Sequence, residues 1–249
     1  MKILQTIKNN IPNAITCLNL VSGVIACIYA FNSTVNYNGL YYGYQCAFIM
    51  IAMAAVFDFF DGLVARLIHA TSAIGKELDS LCDSVSFGLA PALLVFQMME
   101  FFNPGTPWKY AALLIAVCGV LRLARFNVDT TQSVSFLGMP IPANAIFWIG
   151  FCSVQYSAWN ATGDNAPMFG SGIVIALTLV MSYMMVSNLR MFSLKFKDFS
   201  FGNNWHRYLI IVAAIAFVAV QDVAGLASTI LLYIILSVFT HKRTKEHEA

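Results

Sequence analysis

Charge is scarce in this chain of 249 residues: only 10% are Asp, Glu, Lys or Arg, against about a quarter in a soluble globular domain. With 59% apolar residues and a mean hydropathy of +0.72, that shortage excludes a soluble fold and indicates an integral membrane protein. The net charge of +2 is too small to recruit a nucleic acid. Paired cysteines are missing as well. The six (Cys17, Cys27, Cys46, Cys82, Cys118 and Cys152) are scattered through apolar segments with no CxxC or zinc-type spacing, so they read as small hydrophobes. The start, MKILQTIKNNIPN, has neither a clean apolar h-region nor a small-residue cleavage site, so the first apolar segment reads as a retained span rather than a signal peptide. Domain-length linkers, low-complexity tracts and short-period repeats are absent too, and the sequence reads as one membrane domain, 1–249.

What is present is a series of long apolar runs. A bilayer core about 30 Å thick takes roughly 20 residues of helix. That yardstick predicts an all-α fold of about eight spans, near 13–31, 43–68, 74–101, 108–126, 142–160, 168–190, 206–221 and 224–241. Residues 1–11 place Ile3, Leu4, Ile7 and Ile11 at helical spacing, with Lys2 and Lys8 on another side. They read as a short amphipathic helix on the membrane surface, the alternative being an unstructured tail. An even number of spans puts both termini on one side. Thirteen of the fourteen Lys and Arg then fall on that side or at its interface, leaving Lys109 alone opposite. By the positive-inside rule both termini face the cytoplasm.

One stretch breaks the apolar pattern. Four of the twelve acidic residues are Asp58, Asp61, Asp79 and Asp83, lying with Arg66, Gly62 and Gly75 around a turn near residue 70. Asp58 and Asp83 are equally far from that turn, as are Asp61 and Asp79, so an antiparallel helical pair brings each couple to equal depth. The i, i+3 and i, i+4 spacings place each helix's pair on one face. Intramembrane acids are expensive and mark function by default. Four convergent carboxylates repel unless neutralised, and an all-oxygen ligand set suits Mg²⁺, Mn²⁺ or Ca²⁺ rather than zinc. Two such ions sharing ligands would clamp an in-line phosphoryl displacement. Gly62 and Gly75 allow close approach, and Arg66 suits a phosphate oxygen.

The pattern D-x2-D-G-x2-A-R-x8-G-x3-D-x3-D, carried by Asp58, Asp61, Gly62, Ala65, Arg66, Gly75, Asp79 and Asp83, is similar position for position to that of the CDP-alcohol phosphotransferase family. The resemblance implies that family's membrane-embedded helical fold, with Asp58, Asp61, Asp79 and Asp83 holding two divalent cations, Mg²⁺ or Mn²⁺. It further implies that Asp83 is the base for the acceptor alcohol, that Gly62, Ala65, Arg66 and Gly75 line the CDP moiety, and that the protein is a homodimer.

Further stretches, PNAITCLNLVSG (12–23), LRLARFN (121–127), GMPIPANA (138–145) and VSNLRMFSLKFK (186–197), resemble the membrane-embedded phosphatidylserine synthases of that family. They imply CDP-diacylglycerol and L-serine as substrates and a catalytic six-helix core over 12–197; the two additional helices over 206–241 carry no distinctive motif. Asn13 and Thr16, at i, i+3, can hydrogen-bond a cytosine edge or a phosphate, with helix capping by Asn13 the plainer reading. Arg122 and Arg125 can point at one anion, either an acceptor carboxylate or a lipid phosphate, and Lys195 is a further candidate. Glycerol 3-phosphate or an inositol phosphate would use the same motif as acceptor. A cation-coupled transporter would also bury aspartates, but shows broken helices or inverted repeats that this sequence does not.

Overall fold

The computed structural model describes residues 2–33, 36–37, 40–41, 43–70, 72–129, 135–162, 169–192 and 201–248. Its helices follow in chain order: α1 (Lys2–Phe31), α2 (Gly43–Leu67), α3 (Ala73–Asp83), α4 (Ala90–Phe102), α5 (Leu113–Val128), α6 (Ile141–Thr162), α7 (Ser171–Val186), α8 (Phe201–Gln221) and α9 (Gly225–Glu248). A π-helical stretch, Ser84–Leu89, joins α3 to α4 without a break in direction. Two short 3-10 helices, Pro107–Ala112 and Asp222–Ala224, and two antiparallel ribbons, β1 (Asn36–Tyr37) with β2 (Leu40–Tyr41) and β3 (Ser135–Leu137) with β4 (Arg190–Phe192), complete the described structure.

The expected spans overlap these helices or helical runs, with 168–190 cut back to α7 and the closing pair meeting α8 and α9. By length and composition, Asn10–Phe31, Gly43–Leu67, Ala73–Phe102, Pro107–Val128 and the run Asn204–Thr240 can cross a membrane, and Ser171–Val186 is a shorter apolar helix. α6 carries Asn144, Ser153 and Gln155 and is less apolar. It can be, because it is buried among other helices along nearly its whole length. The N-terminus differs from expectation in one respect. The surface helix expected over 1–11 forms the first turns of α1, which runs through Pro12 without interruption. Pro12 removes one backbone donor, but the apolar spacing of Ile7 and Ile11 carries on in the same register.

Packing centres on two helices. α6 buries Phe147, Trp148 and Tyr156 completely or nearly so, and the Tyr156 ring stacks on Tyr44 at 4.5 Å while its hydroxyl donates to Ser33 Oγ at 3.1 Å. α1 packs along α2 and also against α3 and the π-helical stretch, whereas α2 and α3 scarcely touch each other. The pair flanking the aspartate turn is therefore splayed, with α1 as the wall both lean on. Small residues set the close approaches, as is usual between membrane helices. A Cβ on Gly23 of α1 would lie 2.8 Å from Ser86 Cα in the π-helical stretch. A Cβ on Gly119 of α5 would lie 3.7 Å from Gly88 Cα. At the far end from the aspartates, Lys109 pairs with Glu100 at 2.6 Å and lies over the Phe96 and Tyr110 rings. The one lysine expected opposite the termini is thus paired with an acid.

Gly23→Val should lower the thermal midpoint of the detergent-solubilised protein by several degrees, because overpacking costs about 1–3 kcal/mol and a chain of this size loses about 2–4 °C per kcal/mol. Gly172→Ala, where an added Cβ meets nothing within 4 Å, is the control that should keep or slightly raise the midpoint. Equal midpoints for the two variants would show that α1 does not press on the π-helical stretch.

Candidate active site

α2 ends at Leu67, and His69 turns the chain with a left-handed φ of 54°, while Ala70 N donates to Ala65 O at 2.9 Å. Ser72 caps α3 by accepting from Gly75 N at 3.0 Å, the usual way an orphan amide at a helix start is satisfied. These bonds fix the angle at which α3 leaves the turn, and so the width of the gap between α2 and α3.

Across that gap, Asp58 and Asp61 of α2 face Asp79 of α3, each offering a carboxylate oxygen within 4.8 Å of the others. Carboxylates so close repel by about 3–4 kcal/mol per pair at an effective dielectric near 20. Asp61 Oδ2 and Asp79 Oδ1 are also buried without a hydrogen-bond partner, a condition native structures avoid. Orphaned oxygens, mutual repulsion and an all-carboxylate donor set are what a hard divalent cation would resolve. Asp83 stands outside this trio. It lies one turn further along α3, buried, and its Oδ1 accepts from Asn19 Nδ2 of α1 at 3.0 Å.

The splayed helices enclose a cavity of about 500 Å³, bordered by α1, α2, the turn and α3. Asn13, Thr16, Gly62, Ala65, Arg66 and Gly75 all line it with Asp58, Asp61 and Asp79. Asn13 is well inside α1, which begins at Lys2, so capping does not account for it. Thr16 donates to Pro12 O at 3.0 Å. A Cβ on Gly75 would come to 3.1 Å from both Asn13 Oδ1 and Ser72 Oγ, so a side chain there would crowd the wall. Gly62 differs: an added Cβ meets nothing within 4 Å and would project into open space. Arg66 curls back, its Nε donating to Gly62 O at 2.8 Å.

The other candidates are not in the cavity wall. Arg122 is buried, lies over the Phe126 ring at 5.6 Å and is near enough to Asp83 to interact with it electrostatically. Arg125 donates to Val186 O at 3.2 Å and to Asn188 Oδ1 at 2.6 Å, tying α5 to the end of α7. The two arginines thus face different partners rather than one anion. Lys195 lies outside the described residues. Sequence reasoning overlooked Asn19, Ser86 and Lys76. Ser86 Oγ donates to Asn19 O at 3.1 Å, and Lys76 borders the cavity while donating to Asn127 O at 3.2 Å. The available signal for Asn19 was its i, i+3 spacing from Thr16, which puts both on one helix face.

The CDP-alcohol phosphatidyltransferase family profile matches residues 9–182, which include every side chain of this site. The chain belongs to that family. Among relatives, it is 34% identical over 184 residues to the CDP-diacylglycerol–serine O-phosphatidyltransferase of Bacillus subtilis, covering 73% of this chain and 89% of the relative. It is 29% identical over 229 residues to that of Helicobacter pylori strain J99, covering 91% and 89%. With that of Mycobacterium tuberculosis strain H37Rv it shares 37% over 177 residues, covering 67% of this chain and 58% of a longer relative. As a member of this family the protein is a phosphatidyltransferase.

If the cavity holds the donor nucleotide, Gly62→Ala should keep or slightly raise the thermal midpoint, since alanine favours helix by about 1 kcal/mol over glycine. The same variant should lose most of the midpoint rise that CDP with Mn²⁺ gives the parent protein. An unchanged rise would place the nucleotide away from Gly62.

Proposed function

We propose that the protein transfers the phosphatidyl group of CDP-diacylglycerol to the hydroxyl of L-serine, giving phosphatidylserine and CMP. The observation that carries this reading is the carboxylate trio on the wall of a 500 Å³ cavity, with a fourth aspartate held one turn deeper. The serine acceptor is favoured by the relatives named above, each named for that substrate.

Asp58, Asp61 and Asp79, with Asp83, would hold two divalent cations, Mg²⁺ or Mn²⁺. When bound, the cations neutralise the donor pyrophosphate and stabilise the charge of the departing CMP. Asn13, Thr16, Gly62, Ala65, Arg66 and Gly75 receive the CDP moiety. Phe59 borders the cavity and is 61% exposed, so the cavity opens toward lipid and the acyl chains can stay in the bilayer. Asp83, its Oδ1 held by Asn19, takes the proton of the serine hydroxyl. The serine oxygen then bonds to the phosphorus that carries diacylglycerol, the bond from that phosphorus to the CMP oxygen breaks, and CMP leaves with the electron pair.

The topology we propose has eight spans, with both termini and the site on the cytoplasmic side. The charge bias and the pairing of Lys109 with Glu100 support it. Residues 12–197 form the catalytic core and 206–241 an added hairpin. Two copies pack through membrane helices, each with a complete site.

The test is CMP release from CDP-diacylglycerol by purified protein with Mg²⁺ or Mn²⁺, with serine, glycerol 3-phosphate and inositol phosphate run in parallel. Serine alone should support release. Asp83→Asn should lose about 10²–10⁴-fold in turnover and keep the midpoint rise with CDP and Mn²⁺; full activity in that variant would refute the base assignment. A C-terminal fusion to green fluorescent protein should fluoresce in cells and one to alkaline phosphatase should be inactive, and the reverse pair of results would invert the topology.

A further inference from the structure

The cavity wall carries two cations as well as its carboxylates. Arg66 and Lys76 both line it. They flank the turn near residue 70, Arg66 in the last turn of α2 and Lys76 in the first turn of α3. Lys76 precedes Asp79 by three residues and shares its helix face, about 4.5 Å nearer the start of α3. The two cations thus form a tier between the turn and the carboxylate trio. Among the described residues, no carboxylate comes within ion-pair distance of either one, although Glu77 is the next residue along from Lys76. Lys76 also has a fixed acceptor beside the cavity. Its Nζ donates to Asn127 O at 3.2 Å, at the C-terminal end of α5. Asn127 is held in turn through its Nδ2, which donates to Ser80 Oγ at 2.9 Å. An ammonium has three donors, so one bond to a carbonyl leaves two for a ligand in the cavity.

The direction of the reaction gives this tier a role. In an in-line displacement the attacking and leaving oxygens lie on opposite sides of the transferred phosphorus. Asp83, the base proposed above, closes α3, about 10 Å along the helix from Lys76. Asp79 lies between them. An acceptor oxygen that gives its proton to Asp83 approaches from the deep end. The leaving oxygen then points the other way, toward Arg66 and Lys76.

We propose that Lys76 holds the phosphate that departs with the nucleoside, acting with Arg66 from the opposite wall, and touches neither the transferred phosphate nor the acceptor. This role rests on the CDP-diacylglycerol reading above. As the bond between the transferred phosphorus and the CMP oxygen breaks, that oxygen keeps the electron pair and the departing phosphate gains negative charge. A cation already in place there binds the transition state more tightly than the ground state, which is the condition for raising turnover.

The experiment uses purified protein turning over CDP-diacylglycerol and serine with Mg²⁺, with CMP added as product inhibitor. CMP carries the departing phosphate and no other, so its inhibition constant reads that contact alone. Lys76→Met should weaken CMP by about 10-fold, the low end for a hydrogen bond to a charged group, as suits an exposed side chain. Turnover should fall by a similar factor, and the KM for serine should stay in place. Lys76→Arg keeps the cation and should remain within a few-fold of the parent protein in both respects. Lower turnover with CMP inhibition unchanged would put Lys76 on the transferred phosphate. A raised KM for serine with CMP unchanged would put it on the acceptor, and weakening of CMP and serine alike would mark a structural role. Each of these results overturns the proposal, as does a Lys76→Met protein indistinguishable from the parent. A parent protein that releases no CMP with serine would instead overturn the function on which it rests, and that result is seen before any variant is made.

Discussion

Three carboxylates within 4.8 Å of one another in an apolar bundle set the terms for everything near them. Such a group is tolerable only where a cation can reach it and where the helices that carry it are kept from closing. Both conditions are met by the splay of α2 and α3. The short turn with left-handed His69 and the Ser72 cap fixes the exit angle. α1 then fills the role a direct α2–α3 contact would have had, packing on each helix separately. The cavity is the space left over, and the glycines on its wall keep it from being filled from within.

Close contact on the far side of α3 complements this opening. Gly23 lets α1 lie against Ser86, and Ser86 Oγ bonds the backbone oxygen of Asn19. The helix that continues α3 passes through a π-helical stretch directly after Asp83. Wide turns of this kind recur at functional sites because they re-aim neighbouring side chains. Here the stretch brings Ser86 to the same helix face of α1 that holds Asp83. Asp83 is therefore oriented by contacts that do not depend on the carboxylate trio.

The eight-residue pattern from Asp58 to Asp83 made the site legible in the sequence because its members sit on two consecutive helices with fixed periodicity. Helix positions were equally legible, since apolar length is a strong signal in a chain with so little charge. Three features were not. Symmetry about a turn gives equal depth but says nothing about separation, so the splay of α2 and α3 could not be read. An i, i+3 pair of arginines shares a face only on its own helix; the carbonyl of Val186 and the side chain of Asn188 on another segment capture Arg125, and Arg122 is left to the interior. A lone asparagine in an apolar span carries no pattern, and Asn19 gained meaning only when α3 was brought against it.

These differences fall along a line of chemistry. Most of the residues legible from the motif lie on α2 and α3 and line the cavity. Asn19, which needed the structure, lies on α1 and holds Asp83, and Arg122, named from the sequence, lies in the interior on α5. On the reading proposed here, the motif serves the phosphotransfer common to the family, and the acceptor is chosen by groups outside it. A site divided in this way can change its alcohol without disturbing the carboxylates on α2 and α3. That is why a motif can fix the reaction class so firmly and leave the acceptor open: the atoms that recognise the alcohol belong to helices whose relation to the motif is tertiary rather than sequential.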